Sequence, residues 1–237
     1  VFIADYFIED GLLGGGELNN HEFIELANKD DYKVSKLNSR FITEELLAQH
    51  IKSGKRFIIS NFIELDDESK ALLVDRGDYV IYEHDHKYLS NRNPSVFENY
   101  KAPEEMVINR DFYKNAAAVF CQSRLHTDVV QKNLGYSNII NLGGNIWSER
   151  VLNKLEQLSK IEKQNRCSIL DSNIDHKNTH GAMRFCRLKN IPFEKIKSNS
   201  YEEFLDKLAT NKMFAFFPQT LETLSRVVVE ARMLNCK

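Results

Sequence analysis

Two glutamates near the end of the sequence, Glu222 and Glu230, lie eight positions apart and flank an apolar helical segment. If Thr223 caps this helix, the next three backbone N–H groups are free to meet a phosphate, and the helix dipole adds to the attraction. These groups belong to Leu224, Ser225 and Arg226. Carboxylates on either side of a phosphate suit hydroxyl groups, so the segment predicts a nucleotide-sugar site. An amphipathic helix with solvent-exposed glutamates is the alternative.

A glycine run follows the first apolar segment and opens the first predicted helix. Gly14, Gly15 and Gly16 precede Glu17. Glycines at such a position let backbone N–H groups approach a ligand closely, and the helix N-terminus behind them favours an anion. The spacing is not the Gly-x-Gly-x-x-Gly pattern of dinucleotide-binding proteins. The run therefore predicts phosphate or sugar contact, with a flexible surface turn as the alternative.

Four polar residues, Glu83 to His86, end the fourth predicted strand, at the edge where parallel sheets place functional side chains. His84 could hydrogen-bond a substrate while its carboxylate neighbours orient it, or the segment could be an ordinary polar strand end. A metal site could be drawn from this segment with His176 and His180, but no glutamate or cysteine completes a recognised ligand set. We therefore predict no metal site.

The elements that position these residues follow from the alternation of short apolar runs with amphipathic helical ones. In the first part of the chain, strands are predicted at residues 1–6, 32–35, 56–60, 79–83, 117–121 and 138–142. A helical connector begins near Trp147, and a second series of strands follows at residues 167–171, 193–196 and 213–217.

The alternation predicts an α/β protein with two Rossmann-like domains facing each other across a cleft. We expect an N-terminal domain at residues 1–147, a connecting helix at 148–165 and a C-terminal domain at 166–237.

Composition narrows the functional classes. The 237 residues carry 32 Lys+Arg and 34 Asp+Glu, so no excess of positive charge attracts nucleic acid or anionic lipid. The four cysteines are widely separated, which fits reduced thiols rather than a zinc or disulfide framework. No apolar run is long enough to span a bilayer. We expect a cytoplasmic protein without a transmembrane segment that does not bind nucleic acid.

The segment from Phe217 to Asn235 resembles the C-terminal motif of retaining glycosyltransferases of the GT-B fold, in particular family four. In that family a strand and a proline precede two glutamates of this spacing. The glycine run, His84 and the turn at Ser123 occur in the same order as in the family. The stretch 141–145 resembles the end of the family's N-terminal domain. The resemblance implies two GT-B domains.

The resemblance also implies roles for single residues. Glu230 would bind the ribose hydroxyls, Glu222 the donor sugar, and Lys177 the diphosphate, which the Gly15 and Gly16 backbone would also approach. His84 would contact the sugar or the acceptor.

The chain departs from the family pattern at several positions. Asp171 and Ser172 occupy the neighbourhood of the arginine that family members place before the phosphate-binding lysine, and Asn178 and the pair Leu224-Ser225 stand where glycines are common. Arg226 could replace the missing cation or could be a salt-bridge residue.

The implied activity is transfer of a sugar from a nucleoside-diphosphate sugar to an acceptor, with retention of configuration and without a metal or other cofactor. The acceptor, a glycan, a lipid or a small molecule, does not follow from the sequence. Two alternatives stay open: a nucleotide-sugar epimerase, and a non-catalytic nucleotide-binding or partner-binding protein with a degenerate GT-B fold. Complete family members continue past Glu230, so the second domain would be incomplete, lacking about half of its residues at the C-terminus.

Overall fold

A computed structural model describes all 237 residues and divides them into two compact units, Val1–Ile146 and Trp147–Lys237. We call these the first unit and the second unit. Both are layered α/β structures with parallel sheets. No helix combines the length and the apolar character needed to cross a membrane.

The first unit contains a six-stranded parallel sheet in the order β2-β1-β3-β4-β5-β6. Its strands are β1 (Phe2–Ala4), β2 (Lys36–Asn38), β3 (Arg56–Ile59), β4 (Asp78–Glu83), β5 (Val119–Cys121) and β6 (Ile139–Asn141). Its helices are α1 (Gly15–Lys29), α2 (Glu44–Lys52), α3 (Asp67–Arg76), α4 (Arg110–Asn115) and α5 (Arg124–Leu134). The order of the strands reverses between β1 and β3, which creates a crevice at their carboxyl ends.

Apolar side chains cover both faces of this sheet, as expected for parallel strands. On one face, residues such as Ile59 and Ile81 pack against helices α2 to α5. On the other face, Phe2 and Tyr82 pack against Ile24 of α1. Beside α1 an apolar cavity of about 390 Å³ remains over the central strands.

The long segment between β4 and α4 has little regular structure. It contains three short 3₁₀ turns, Pro94–Val96, Glu98–Tyr100 and Glu104–Met106. Its two ends meet in a single bridge between Leu89 and Val107. The segment is therefore a loop that returns to the sheet edge where it started.

The second unit contains a three-stranded parallel sheet in the order β8-β7-β9. Its elements are α6 (Glu149–Ser159), β7 (Gln164–Leu170), α7 (Thr179–Leu188), β8 (Phe193–Ile196), α8 (Tyr201–Ala209), β9 (Asn211–Ala215) and α9 (Arg226–Met233). Helix α6, predicted as a connector, packs into the core of this unit. Its buried Val151 and Leu155 join Leu205 and Leu208 of α8 and Ala231 of α9.

One predicted strand is wrong. Residues 32–35 were expected to form the second strand, but β2 is Lys36–Asn38, which pairs with Phe2–Ala4. The chain leaves α1 through Asp31, which has a left-handed φ of 63°, and Tyr32 stays largely exposed. The strand therefore begins only where the backbone comes into register with β1.

Candidate functional site

The carboxyl edge of the first sheet is organised by Asp5, which directly follows β1. Its carboxylate is buried and accepts hydrogen bonds from the backbone N–H groups of Ile63 at 3.0 Å and Glu64 at 3.2 Å, and from the Ser39 hydroxyl. These contacts fix the loop after β3 at the crevice. Asp5 belongs to none of the predicted site motifs, and the one sequence signal for it is an acidic residue directly after an apolar strand.

The glycine run opens α1, as predicted. Gly14 is the N-cap residue and has no side chain to cap the helix, and the Glu17 carboxylate instead accepts from its own first-turn N–H. A Cβ atom on Gly16 would lie 3.9 Å from Cβ of His84. The structure therefore brings the helix start and His84, both predicted site features, into direct proximity.

The imidazole of His84 is held by amides. Its Nε2 atom lies 2.8 Å from Oδ1 of Asn20, which also accepts a hydrogen bond from the Ser60 hydroxyl at 2.8 Å. Gln122 is a further side-chain partner. Burial, reinforced by the charge of Lys87, lowers the pKa of His84 to about 3. His84 is therefore neutral near pH 7, which suits a hydrogen-bonding group better than a cationic one.

The carboxylates beside His84 do not orient it, contrary to one of the interpretations of this segment. Glu83 is fully buried and accepts hydrogen bonds from the Lys87 ammonium group, the Tyr113 hydroxyl and the Asp85 N–H. Asp85 forms a salt bridge with Arg92 instead, at 3.2 Å. At this polar strand end, His84 is therefore partly exposed, whereas Glu83 and Lys87 form a buried ion pair.

The histidines of this region do not form a metal site. The buried His126 ring accepts from the Gln122 N–H at 3.2 Å, and its Nε2 lies 3.1 Å from the Asp85 carbonyl oxygen. Burial, with His86 nearby, holds the pKa of His126 well below its usual value. Nowhere in the chain do three or more His, Cys, Asp or Glu side chains converge so that they could hold a metal ion.

In the second unit the structure brings Lys177 and Glu222 together, although they are 45 positions apart. Lys177 ends a 3₁₀ turn, and its Nζ atom lies 2.8 Å from Oε1 of Glu222. Both side chains keep about a quarter of their surface exposed, at 26% and 23%. The pair is therefore accessible to a ligand.

Two further contacts fix the Glu222 loop against the start of α7. The Asn178 amide donates to the Phe217 carbonyl oxygen at 2.8 Å, and the Gln219 N–H donates to the His176 carbonyl oxygen at 2.8 Å. Asn178 also caps α7 by accepting from the Gly181 N–H at 3.1 Å. The loop that carries Glu222 is thus tied to the segment that carries Lys177.

The start of the last helix differs from its prediction. Thr223 was expected as the cap, but the N-cap is Ser225 and α9 begins at Arg226. The first-turn N–H groups without helical partners consequently belong to residues 225–228, and Leu224 lies outside the helix. The N–H groups that could bind an anion therefore lie closer to the C-terminus than predicted, because the backbone becomes helical only after Ser225.

Glu230 and Arg226 lie one turn apart on α9 and form a buried ion pair, with the Nε and Oε1 atoms 2.9 Å apart. The Arg226 guanidinium lies over the rings of Trp147 at 4.8 Å and Tyr201 at 5.5 Å. Of the two interpretations of Arg226, the structure supports the salt-bridge residue, since a side chain 4% exposed cannot replace a phosphate-binding cation at the surface.

Asp171, at the end of β7, pairs with a neighbouring cation. Its Oδ1 atom lies 2.9 Å from Nζ of Lys195 on the adjacent strand β8. This pair leaves Lys177 as the cation that contacts Glu222 at this sheet edge.

The chain was compared with protein families, curated proteins and solved structures, and the similarity found is one of fold. No protein-family model matches the chain, and no curated protein matches it. Among solved structures, the chain is similar to the Anabaena protein HepE, whose structure is a complex with UDP and glucose. The two are 13% identical with a TM-score of 0.56, over 99% of this chain and 78% of that chain. The similarity shows that almost the entire chain shares the fold of HepE.

Proposed function

We propose that this protein is a glycosyltransferase that moves a sugar from a nucleoside-diphosphate sugar to an acceptor. The observation that carries the proposal is the contact between Lys177 and Glu222, 2.8 Å apart beside the start of α7. A cation for a diphosphate and a carboxylate for sugar hydroxyls are thereby placed side by side. The shared fold with HepE, solved with UDP and glucose, supports the same substrate class.

The central chemical demand is stabilisation of the leaving diphosphate. Negative charge grows on this group as its bond to the sugar breaks, and fixed donors offset that charge without a divalent cation. Within the second unit, Lys177 and the first-turn N–H groups of α9 would supply these donors. The Lys177–Glu222 pair is partly exposed, so exchanging Glu222 for a phosphate oxygen costs little.

Other residues would bind the rest of the donor. Glu222, once released from Lys177, would accept hydrogen bonds from sugar hydroxyls, whereas the Glu230 side chain, 2% exposed and paired with Arg226, stays in the core of the second unit. His84, neutral because its pKa is lowered to about 3, would hydrogen-bond the sugar or the acceptor. In a retaining reaction the acceptor hydroxyl would lose its proton to the departing phosphate, so no strong protein base is required.

The acceptor would bind to the first unit. A cavity of about 840 Å³ lies between α3 and the ends of the long loop after β4. Its floor includes Phe62 and Phe112, and its rim includes Arg92, Arg110 and Asp67. This volume lies within the range of small-molecule sites. An apolar floor with a charged rim suits a glycan, lipid or small-molecule acceptor.

The alternative is a non-catalytic nucleotide-binding protein with a degenerate GT-B fold. The observation in its favour is that Asp171, in the neighbourhood where the resemblance implies a second cation, instead pairs with Lys195 at 2.9 Å. With Lys177 as the single cation for the diphosphate, the protein could bind a nucleotide without stabilising the diphosphate as a leaving group. The third interpretation, a nucleotide-sugar epimerase, has no dedicated pair of carboxylates in its support.

Turnover distinguishes these functions. We expect release of nucleoside diphosphate from one member of a panel of UDP-, GDP- and ADP-sugars in the presence of glycan, lipid or small-molecule acceptors. Lys177→Ala should lower kcat/KM by about 10- to 100-fold, because a charge-assisted contact contributes roughly 1.5–3 kcal/mol.

Lys195→Ala provides the matched control, since Lys195 also pairs with an acidic residue of the second unit. It should change kcat/KM less than about twofold. Nucleotide binding without any product would support the non-catalytic alternative, and equal losses in the two variants would reject the role of Lys177.

A further inference from the structure

The apolar cavity of about 390 Å³ lies on the face of the first sheet that packs against α1. Its floor consists of side chains from three neighbouring strands, Ile58 of β3, Val80 and Tyr82 of β4, and Phe120 of β5. Neighbouring strands are about 4.8 Å apart, so the floor extends roughly 10 Å across the strands. The cavity therefore has room for an elongated ligand.

The wall of the cavity is the short stretch of chain after β6, and polar contacts fix it to α1 and to the end of β5. The Ile146 N–H donates to Oδ1 of Asn19 at 2.7 Å, and the Gln122 amide donates to Oδ1 of Asn145 at 2.6 Å. Asn19, which is buried on α1, also donates to the Tyr82 hydroxyl of the floor. Specific hydrogen bonds between α1, the sheet and the wall therefore maintain this space.

The chemistry of the lining favours an uncharged, apolar ligand. None of the lining side chains is charged, and the two polar ones that meet the floor and the wall, Tyr82 and Asn145, already have partners within the protein. An anion or a sugar would lose its hydration there without matching contacts, whereas an apolar chain gains from leaving water.

The larger cavity of about 840 Å³ lies on the opposite face of the same sheet and differs in its lining. Its floor belongs to the core between the sheet and helices α2 to α5, and charged side chains such as Lys70, Arg92 and Arg110 line it. The two cavities of the first unit therefore suit ligands of different chemistry.

We propose that the cavity of about 390 Å³ binds an uncharged linear alkyl chain, such as that of a fatty alcohol, which lies across β3, β4 and β5. Apolar cavities in proteins exclude water and take up apolar molecules. The volume lies within the range of small-molecule sites. This site is separate from the nucleotide-sugar and acceptor sites proposed above.

Calorimetry on the full chain with 1-hexanol, 1-octanol and 1-decanol tests the site. We expect one molecule to bind per chain, with an affinity that rises about fourfold for each added methylene group. Octanoate should bind at least about tenfold more weakly than 1-octanol, because its carboxylate meets no cation in the lining. If no alcohol binds saturably, or if octanoate binds as tightly as 1-octanol, the proposal is rejected.

Val80→Phe fills the cavity from its floor. Val80 is only half-buried, so the fold can accommodate a larger side chain. The variant should lower the affinity for 1-octanol at least about tenfold, because the alkyl chain would lose the burial of two or more methylene groups. If it does not fold, Leu142→Trp enlarges a wall residue that is 47% exposed and should lower the affinity as well.

Val96→Phe is the matched control. It makes the same exchange at a residue that is 62% exposed and lies outside the cavity, so it should leave the affinity for 1-octanol unchanged. Wild-type affinity in a folded Val80→Phe or Leu142→Trp variant would place the bound alcohol elsewhere and overturn the proposal.

A second copy of the chain is the competing occupant, because Ile140, in register with Phe120, and Leu142 leave exposed apolar surface beside the cavity. Analytical ultracentrifugation distinguishes the two, and we expect a monomer at the concentrations used for calorimetry. A dimer that Val80→Phe dissociates would assign the cavity to a subunit interface instead. Absence of glycosyl transfer would leave the alkyl-chain site intact, since no lining residue has a role in the proposed reaction.

Discussion

Two ion pairs at the carboxyl edges of the two sheets differ in their burial. Glu83 and Lys87 in the first unit are 0% and 2% exposed, whereas Glu222 and Lys177 in the second unit are 23% and 26% exposed. A buried pair cannot exchange its partner without leaving a charge in a low-dielectric interior, whereas a partly exposed pair exchanges easily. The same chemistry therefore stabilises structure in one unit and is available to a charged ligand in the other.

The residues around the two ion pairs also differ in what they offer to a ligand. In the first unit, the edge presents the neutral His84 above a closed network of Glu83, Lys87 and Tyr113. In the second unit, the edge presents an accessible cation, Lys177, beside the capped start of α7. A diphosphate would find its strongest partners in the second unit, and a neutral hydroxyl would find partners in the first.

The largest expected effect comes from breaking the buried pair. Glu83→Ala should lower the free energy of unfolding by about 3–5 kcal/mol, because Lys87 would remain buried without its counter-charge. Glu222→Ala, the matched change in the accessible pair, should cost less than about 1 kcal/mol. Urea unfolding followed by circular dichroism measures both. Similar losses in the two variants would show that the burial difference has no energetic consequence.

A smaller loss of folding stability is expected when the pH is lowered. His84 and His126 have lowered pKa values in the folded protein, so the unfolded chain binds more protons once the pH falls below about 6.5. Their stabilising contribution is complete above that value and is lost progressively as the pH falls below it. Between pH 7 and pH 5.5, each histidine should lower the free energy of unfolding by about 1 kcal/mol.

His126→Gln isolates this contribution. Glutamine can retain a donor and an acceptor for the partners of His126 but does not titrate. The variant should lose less stability than the wild-type protein in urea unfolding at pH 5.5 relative to pH 7. Since burial raises the pKa of Glu83, which acts in the opposite direction, the difference between the two proteins is the quantity to compare. An equal pH dependence would contradict the role of His126.

The smallest changes in stability are expected from glycine substitutions at the starts of two helices, α1 and α7. A Cβ atom on Gly16 of α1 has only ordinary contacts, so Gly16→Ala should stabilise the protein by up to about 1 kcal/mol. A Cβ atom on Gly181 of α7 would collide with the Asn178 side chain that caps the helix, so Gly181→Ala should destabilise it by about 1 kcal/mol. Thermal unfolding of both variants checks the opposite signs, and two shifts of the same sign would contradict them.

Much of the fold could be predicted from the sequence because its signals are local. The alternation of apolar strands and amphipathic helices predicts two parallel α/β sheets, and Ser123 and Gly135 mark the ends of α5 where the structure has them. Ser123 accepts from the His126 N–H at 3.1 Å, and Gly135 adopts a left-handed φ of 73°. Such caps depend on residues within one turn of the helix end.

The candidate site was predictable only as a set of residue types at a sheet edge. The sequence indicated His84, Lys177 and Glu222, but not Asn20 as the partner of His84 or Tyr201 as a donor to Glu230. These partners are 64 and 29 positions away from the residues that they contact. No local pattern encodes which distant side chain reaches a given atom.

By itself, therefore, the sequence determined the succession of elements, the helix start at Gly14 and the positions of the polar strand ends, since each follows from neighbouring residues. Only the tertiary structure decided which charges are buried, where β2 comes into register, and that Arg226 pairs with Glu230 rather than with solvent. The physical reason is that burial and hydrogen-bond partners are set by packing between segments distant in sequence, which compete for the same donors and acceptors.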